Sequence, residues 1–216
     1  MSPTRTPRDA HEHQIAALAA SLPTERADLL AVAVDAVHAV NAAILAGNLD
    51  TATDAATRYE AAIWQLNGGT FFACRANDYS AANVLADHCA APDGLAPKWG
   101  QRGDFLIACD GMRARVIANT APERMPPHFA FHAVDLERPF ISETGYLSHF
   151  GSIHPSCTVE EAACAELAKL QAEHPPRLIA PQHRTHCRLP DWLPDAAAVP
   201  ALEPFADERG QFGFAF

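Results

Sequence analysis

The chain has 216 residues, 49% of them hydrophobic, and a net charge of −10 with only two lysines, Lys98 and Lys169. That length and apolar content suffice for one sizeable core, or one core plus a helical appendage, and exclude a disordered chain. No basic cluster interrupts the acidity, which argues against direct, phosphate-driven nucleic-acid binding and fits a protein partner better, including a basic host complex that itself handles nucleic acid.

The N-terminal third reads as helix. Residues 9–21 form a weak amphipathic candidate. Residues 24–46 form a stronger one, with Thr24 as its cap and Leu29, Leu30, Val32, Ala33, Ala36, Val37, Val40 and Ile44 as a broad apolar stripe. Gly47 supplies the left-handed position that ends it. Asp50 is the expected cap of the next helix, which Asn67-Gly68-Gly69 terminates. The short connection between the two long helices predicts an antiparallel helical hairpin, and its alanine-rich surface is compatible with a homodimer.

Beyond the glycines the period changes. Thr70–Cys74 is a short strand candidate, and Ser80 is placed to start a short helix ending near Cys89. Two apolar runs, Phe105–Cys109 and Met112–Ala118, flank Asp110-Gly111. That dipeptide favours the positive backbone angles of a tight hairpin turn. On the second strand Arg113 and Arg115 share one face. His128–Val134 alternates again, with Phe129, Phe131 and Ala133 on one side. A loop is expected over Asp135–Gly151. Thr158-Val159-Glu160-Glu161 is a capping box for a helix reaching about Gln171, and Arg177–Ala180 is a last strand candidate. The fold class these elements predict is α+β: a helical hairpin (1–69) packed on a small, mainly antiparallel sheet with one or two further helices (70–180), and an extended, proline-rich tail ending in aromatics (181–216).

Six cysteines, Cys74, Cys89, Cys109, Cys157, Cys164 and Cys187, are irregularly spaced without C-x-x-C. They read as reduced thiols of a cytoplasmic protein. No signal peptide and no membrane span are expected.

Three segments could carry chemistry. In the 135–151 stretch Arg138, Glu143, Tyr146 and His149 lie close in sequence. Glu143 and His149 could act as acid and base in a small hydrolase or transferase, and the four could equally form a binding surface or an ordered loop with Arg138 paired to Glu143. Pro97–Gly103 carries Trp99, Gln101 and Arg102. Trp and Arg are enriched at interface hot spots, although Trp99 could instead tuck onto the sheet. His154 and Cys157, with His183, His186 and Cys187, have spacings compatible with a zinc clip holding the tail, an alternative to the expectation of no cofactor. Phosphate loops, nucleophile elbows and the common zinc-enzyme signatures are missing.

The segments LNGGTFFAC (66–74), WGQRGDFLIACDGMRARV (99–116) and FAFHAVDLERPFISETGYLSHFG (129–151) resemble a family of uncharacterised proteins from proteobacterial plasmids and integrative elements. The similarity spans roughly residues 55–170 and transfers no catalytic residue. It implies the context of an accessory gene of a mobile element. Small proteins of that context include inhibitors of host restriction or CRISPR systems, so a non-enzymatic interaction protein of anti-defence type is the leading expectation.

Overall fold

The computed structural model describes residues 7–123, 126–184, 189–193, 205–206 and 212–213. It is an α+β fold. Four helices come first: α1 (Pro7–Ala19), α2 (Arg26–Leu45), α3 (Leu49–Leu66) and α4 (Ala81–His88). The hairpin β1 (Arg102–Cys109) and β2 (Met112–Asn119) follows, then β3 (His128–Ala133), β4 (Pro139–Phe140), β5 (Tyr146–Phe150), α5 (Val159–Glu173), β6 (Arg177–Leu178) and α6 (Pro181–Arg184). Two further short strands, β7 (Phe205–Ala206) and β8 (Phe212–Gly213), pair with each other.

The helices begin and end for reasons visible in the chain. α2 starts after Glu25, whose side chain makes no capping bond, so Thr24 does not act as the cap. Gly47 adopts φ +72°, which turns the chain into α3 within three residues. The cap of α3 is Asn48, accepting from the Thr51 amide at 3.1 Å, and the expected Asp50 falls inside the first turn, where a carboxylate still favours the helix dipole. α2 is long and apolar enough by composition to cross a membrane. Here it lies at the centre of the helical layer, with Leu29, Val32, Ala33, Ala36 and Val37 buried against Ile15 of α1, Tyr59, Ala62 and Ile63 of α3, and Leu85 of α4. α4 thus joins the helical cluster although it follows the expected boundary at residue 69.

Residues 70–74 form no strand. Asn67 Nδ2 donates to the carbonyls of Thr70 and Phe72, the Thr70 hydroxyl accepts from the Phe72 amide, and Ala73 sits at φ +56°. These bonds satisfy the backbone locally, so the segment has no need of a strand partner.

The four main strands form one antiparallel sheet in the order β1-β2-β3-β5. Asp110 and Gly111 both take positive φ, +49° and +75°, as the hairpin reading requires. The stretch read as a loop therefore contributes the fourth strand, β5, and Pro139–Phe140 adds a short pairing with β6. One face of the sheet buries Phe105, Ile107, Val116, Phe129 and Phe131 beneath Ala162, Ala163, Leu167 and Leu170 of α5 and the C-terminal half of α2. The capping box of α5 forms as expected: the Thr158 side chain accepts from the Glu161 amide, and the Glu161 carboxylate accepts from the Thr158 amide. Cys109 on β1 and Cys164 on α5 form a disulfide, which corrects the reading of every cysteine as a reduced thiol. Alternation on β1 and the helical period of α5 aim both side chains at the same interface, a contact that spacing along the chain does not reveal.

Candidate functional site

The segment carrying Trp99, Gln101 and Arg102 is an internal joint. Trp99 is 1% exposed. Its amide donates to Asn41 Oδ1 on α2 at 3.1 Å, and its indole Nε1 donates to the Cys157 carbonyl at 2.7 Å. Gln101 donates to the Cys89 carbonyl and accepts from the Lys98 amide. Arg102 reaches Asp87 and Asn83 on α4, each at 2.9 Å. The three side chains tie the helical layer to the sheet, which removes Trp99 from the set of surface contacts. The residue types that mark interface hot spots are present, and the interface they serve lies inside the chain.

The second segment divides across the sheet. Successive side chains on a strand point to opposite faces. On β5, Leu147 and His149 face α5, whereas Tyr146, Ser148 and Phe150 face outward, with Phe150 68% and Tyr146 44% exposed. The β3–β5 register sets Tyr146 opposite His132 and Phe150 opposite His128. Their rings lie 4.9 Å and 5.0 Å apart, and His128 Nε2 meets the Ser148 hydroxyl at 2.7 Å. Burial, helped by the Arg115 charge, holds His132 below the usual imidazole range, so it is neutral at pH 7. The guanidinium groups of this face are already matched: Arg115 bonds Asp104 at 2.7 Å, and Arg113 bonds Asp135. Its hydrogen bond to Arg113 outweighs burial and keeps Asp135 below the ordinary carboxylate range. The outer face is thus rich in rings and charge-balanced.

Glu143 and His149 are not brought together. Glu143 is exposed in the turn before β5, and its carbonyl accepts from the Ala180 amide. His149 lies three residues past Tyr146 on an extended strand, about 10 Å further along, and its Nε2 meets Glu166 Oε2 at 3.1 Å. Arg138 is exposed, its charge acting on Asp135. Glu166, 3% exposed, is the hub that the sequence did not announce. It accepts from the Ser152 amide at 2.8 Å and lies 3.2 Å from His154 Nε2. Burial pushes its carboxyl up, but the Ser152 amide, His154 and His149 together hold it below the usual range. His154 is therefore turned toward a carboxylate. Cys157 is half-buried, His183 lies on α6, and His186 and Cys187 lie outside the described residues. Among the described residues no group of three or more His, Cys, Asp or Glu is arranged to hold a metal ion.

The 70–80 loop is a feature that sequence reasoning missed. Phe72 is 85% and Tyr79 90% exposed, yet the loop is framed by the Asn67 bonds, by Asn77 accepting from the Tyr79 amide, and by the Ala82 amide donating to the Cys74 carbonyl. The signal was the Phe71-Phe72 pair after two glycines, which invites a strand reading. Phe71 instead packs inward edge-on against Trp64, at 5.0 Å.

These features define a two-part α+β protein, an all-helical layer joined by a polar and aromatic seam to a helix-backed antiparallel sheet. The chain belongs to the KlcB family, a plasmid-associated family: the model described as the KlcB N-terminal DNA-binding domain matches residues 14–88, and the KlcB third-domain model matches residues 102–183. Two curated relatives, both "Protein KlcB" from Escherichia coli, share 50% identity over 163 residues (74% of this chain, 35% of the relative) and 45% over 194 residues (88% and 48%). The chain thus spans between about a third and a half of those relatives' lengths. No solved structure matches it.

Proposed function

We propose that this chain is a non-catalytic DNA-contacting protein of a mobile element, and that the contact is made by the 70–80 loop of its helical layer. The observation that carries the reading is the pair Phe72 and Tyr79, almost fully exposed on a hydrogen-bonded loop inside the segment that the family's DNA-binding model covers. Residues 14–88 contain three arginines, no lysine and eight carboxylates, a net charge of 3 − 8 = −5. Phosphate neutralisation alone cannot hold a duplex to such a surface. Apolar side chains that wedge between base steps, or stack on them, add contacts that do not themselves depend on charge. The reading therefore expects weak duplex binding with a shallow salt dependence. It is tested by fluorescence anisotropy with a labelled 30-base-pair duplex. Replacing Phe72 and Tyr79 together by alanine should weaken binding at least about tenfold, roughly 1.4 kcal/mol, with thermal stability unchanged. A wild-type chain that ignores duplex DNA at low salt, or a double variant that binds as well, refutes it.

A second reading, an anti-defence inhibitor that binds a basic nucleic-acid-handling host complex, is favoured by the charge of −10 and by the outward rings of Tyr146 and Phe150. It expects Tyr146→Ala to abolish co-purification of such a complex while the 70–80 variants retain it. Loss in neither variant removes this assignment.

A further inference from the structure

We infer that the Cys109–Cys164 bond is a thiol-exchange site, opened by low-molecular-weight thiols and closed by their disulfides while the chain stays folded, and that its state sets how firmly α5 is held on the sheet. The bond joins the last residue of β1 to the middle of α5. Both cysteines are half-buried and pack at the rim of the core. Asp110 and Gly111, which follow Cys109, are exposed, and a side chain built on Gly111 would meet nothing within 4 Å. A helical side chain leans back over the turn before it, and the residue one turn beyond Cys164 is Ala168, too short to cover a sulfur. A disulfide that solvent thiols can reach belongs to the exchanging kind. Two other cysteines of the described residues are enclosed. Cys74 and Cys89 carry free thiols in the helical cluster at 9% and 4% exposure, and burial, reinforced by Glu123, pushes the Cys89 thiol up to about 11, which leaves it little thiolate.

The seat of α5 does not need the bond. Ala162, Ala163, Leu167 and Leu170 are buried against the sheet, and Glu166 ties the helix to His149 of β5 and to the Ser152 amide. Opening the bond therefore leaves the helix packed. The step is a two-stage exchange. A glutathione thiolate attacks one sulfur, the S–S bond breaks, and the other cysteine leaves as a thiolate and takes up a proton. A second glutathione then attacks the mixed disulfide and releases the remaining cysteine thiol with oxidised glutathione. Two electrons and two protons pass from two glutathione molecules to the protein, and oxidised glutathione reverses the sequence. What changes is the tether. Closed, the bond pins α5 to the end of β1 across a sequence separation of 55; open, the helix is held by its apolar face and the Glu166 bonds. No residue of this site belongs to the 70–80 loop, so the inference stands apart from the DNA reading.

The test uses the full chain, purified without reductant and incubated in millimolar reduced glutathione with no denaturant. Alkylation and peptide mass spectrometry should show Cys109 and Cys164 becoming thiols, with a glutathione adduct on one of them as the intermediate, while the far-ultraviolet dichroism stays that of the oxidised chain. Oxidised glutathione should restore the bond. Lys169 is exposed and is the one tryptic site within α5, so cleavage after it reports on how tightly the helix is held. It should run at least about threefold faster in the reduced chain, because cleavage follows local opening. A chain carrying Cys109→Ser and Cys164→Ser together should be cut like the reduced chain with or without glutathione. A bond that opens only in denaturant, a reduced chain that loses its fold, or equal cleavage after Lys169 in both states overturns the inference.

Discussion

Removing the Glu166 carboxylate tests whether the hub that holds β5, the 151–154 segment and α5 together is structural. The side chain is 3% exposed and accepts from the Ser152 amide, with His149 and His154 against its two oxygens. A bond from a backbone amide to a charged acceptor contributes about 1.5–3 kcal/mol. The two imidazoles add less, because their side chains are 22% and 32% exposed and can turn to water. Truncation also leaves a small void against Phe129, whose ring packs beside Gly151 and the Glu166 carboxylate. Glu166→Ala should therefore cost about 3 kcal/mol, and Glu166→Gln, which keeps the shape and one acceptor, about half of that. In a chain of this size the alanine variant should melt roughly 6–12 °C lower. The pH dependence has a fixed sign. The folded carboxyl lies below its ordinary value of 4.5, so its contribution is present above that pH and is lost as the pH falls through the folded value. Urea titrations followed by circular dichroism should show the gap between wild type and Glu166→Gln at pH 7 and its closure in acid. A Glu166→Ala variant within about 0.5 kcal/mol of wild type at pH 7 refutes the reasoning.

Trp99→Ala should cost about 3–5 kcal/mol in the same assay, because the indole fills the seam and bonds Cys157; a surface hot spot would leave stability unchanged. The Cys109–Cys164 bond closes a loop with a sequence separation of 55, so reduction should lower stability by up to about 4 kcal/mol, and thiol titration in denaturant should find two fewer thiols before reduction than after. Equal thiol counts would sink the bond. Gly100→Ala should destabilise measurably in thermal melts, since the backbone is held at φ +94° and a Cβ would press on Val37 at 3.4 Å.

Periodicity made the α+β class legible, because each signal was local. The apolar stripe of α2, the Asp110-Gly111 turn, the inward Phe129 and Phe131 and the Thr158 capping box all rest on residues within a few positions of one another. The readings that failed share another cause. Thr70–Cys74 had strand composition, but Asn67 satisfied its carbonyls first. The 135–151 stretch read as a loop because Pro139, Gly145 and several polar residues mask a five-residue strand, and its pairing with β3 is a long-range fact.

Candidate sites are harder to read than folds for the same reason. Clustering along the chain suggested Glu143 with His149, yet Glu143 stays exposed in the turn before β5, and His149 turns inward and finds its carboxylate on α5, 17 residues away. Trp99 was singled out for its chemistry as an interface residue, and it is one, between the chain's own layers. Such a residue costs stability when changed, whereas Phe72 and Tyr79, which touch almost nothing, should cost only binding. That difference between two measurable quantities separates the seam from the functional surface. Paired stability and DNA-binding measurements on Trp99→Ala and Phe72→Ala should place the two residues on opposite axes, and a result in which both lose stability alike would return the 70–80 loop to the fold.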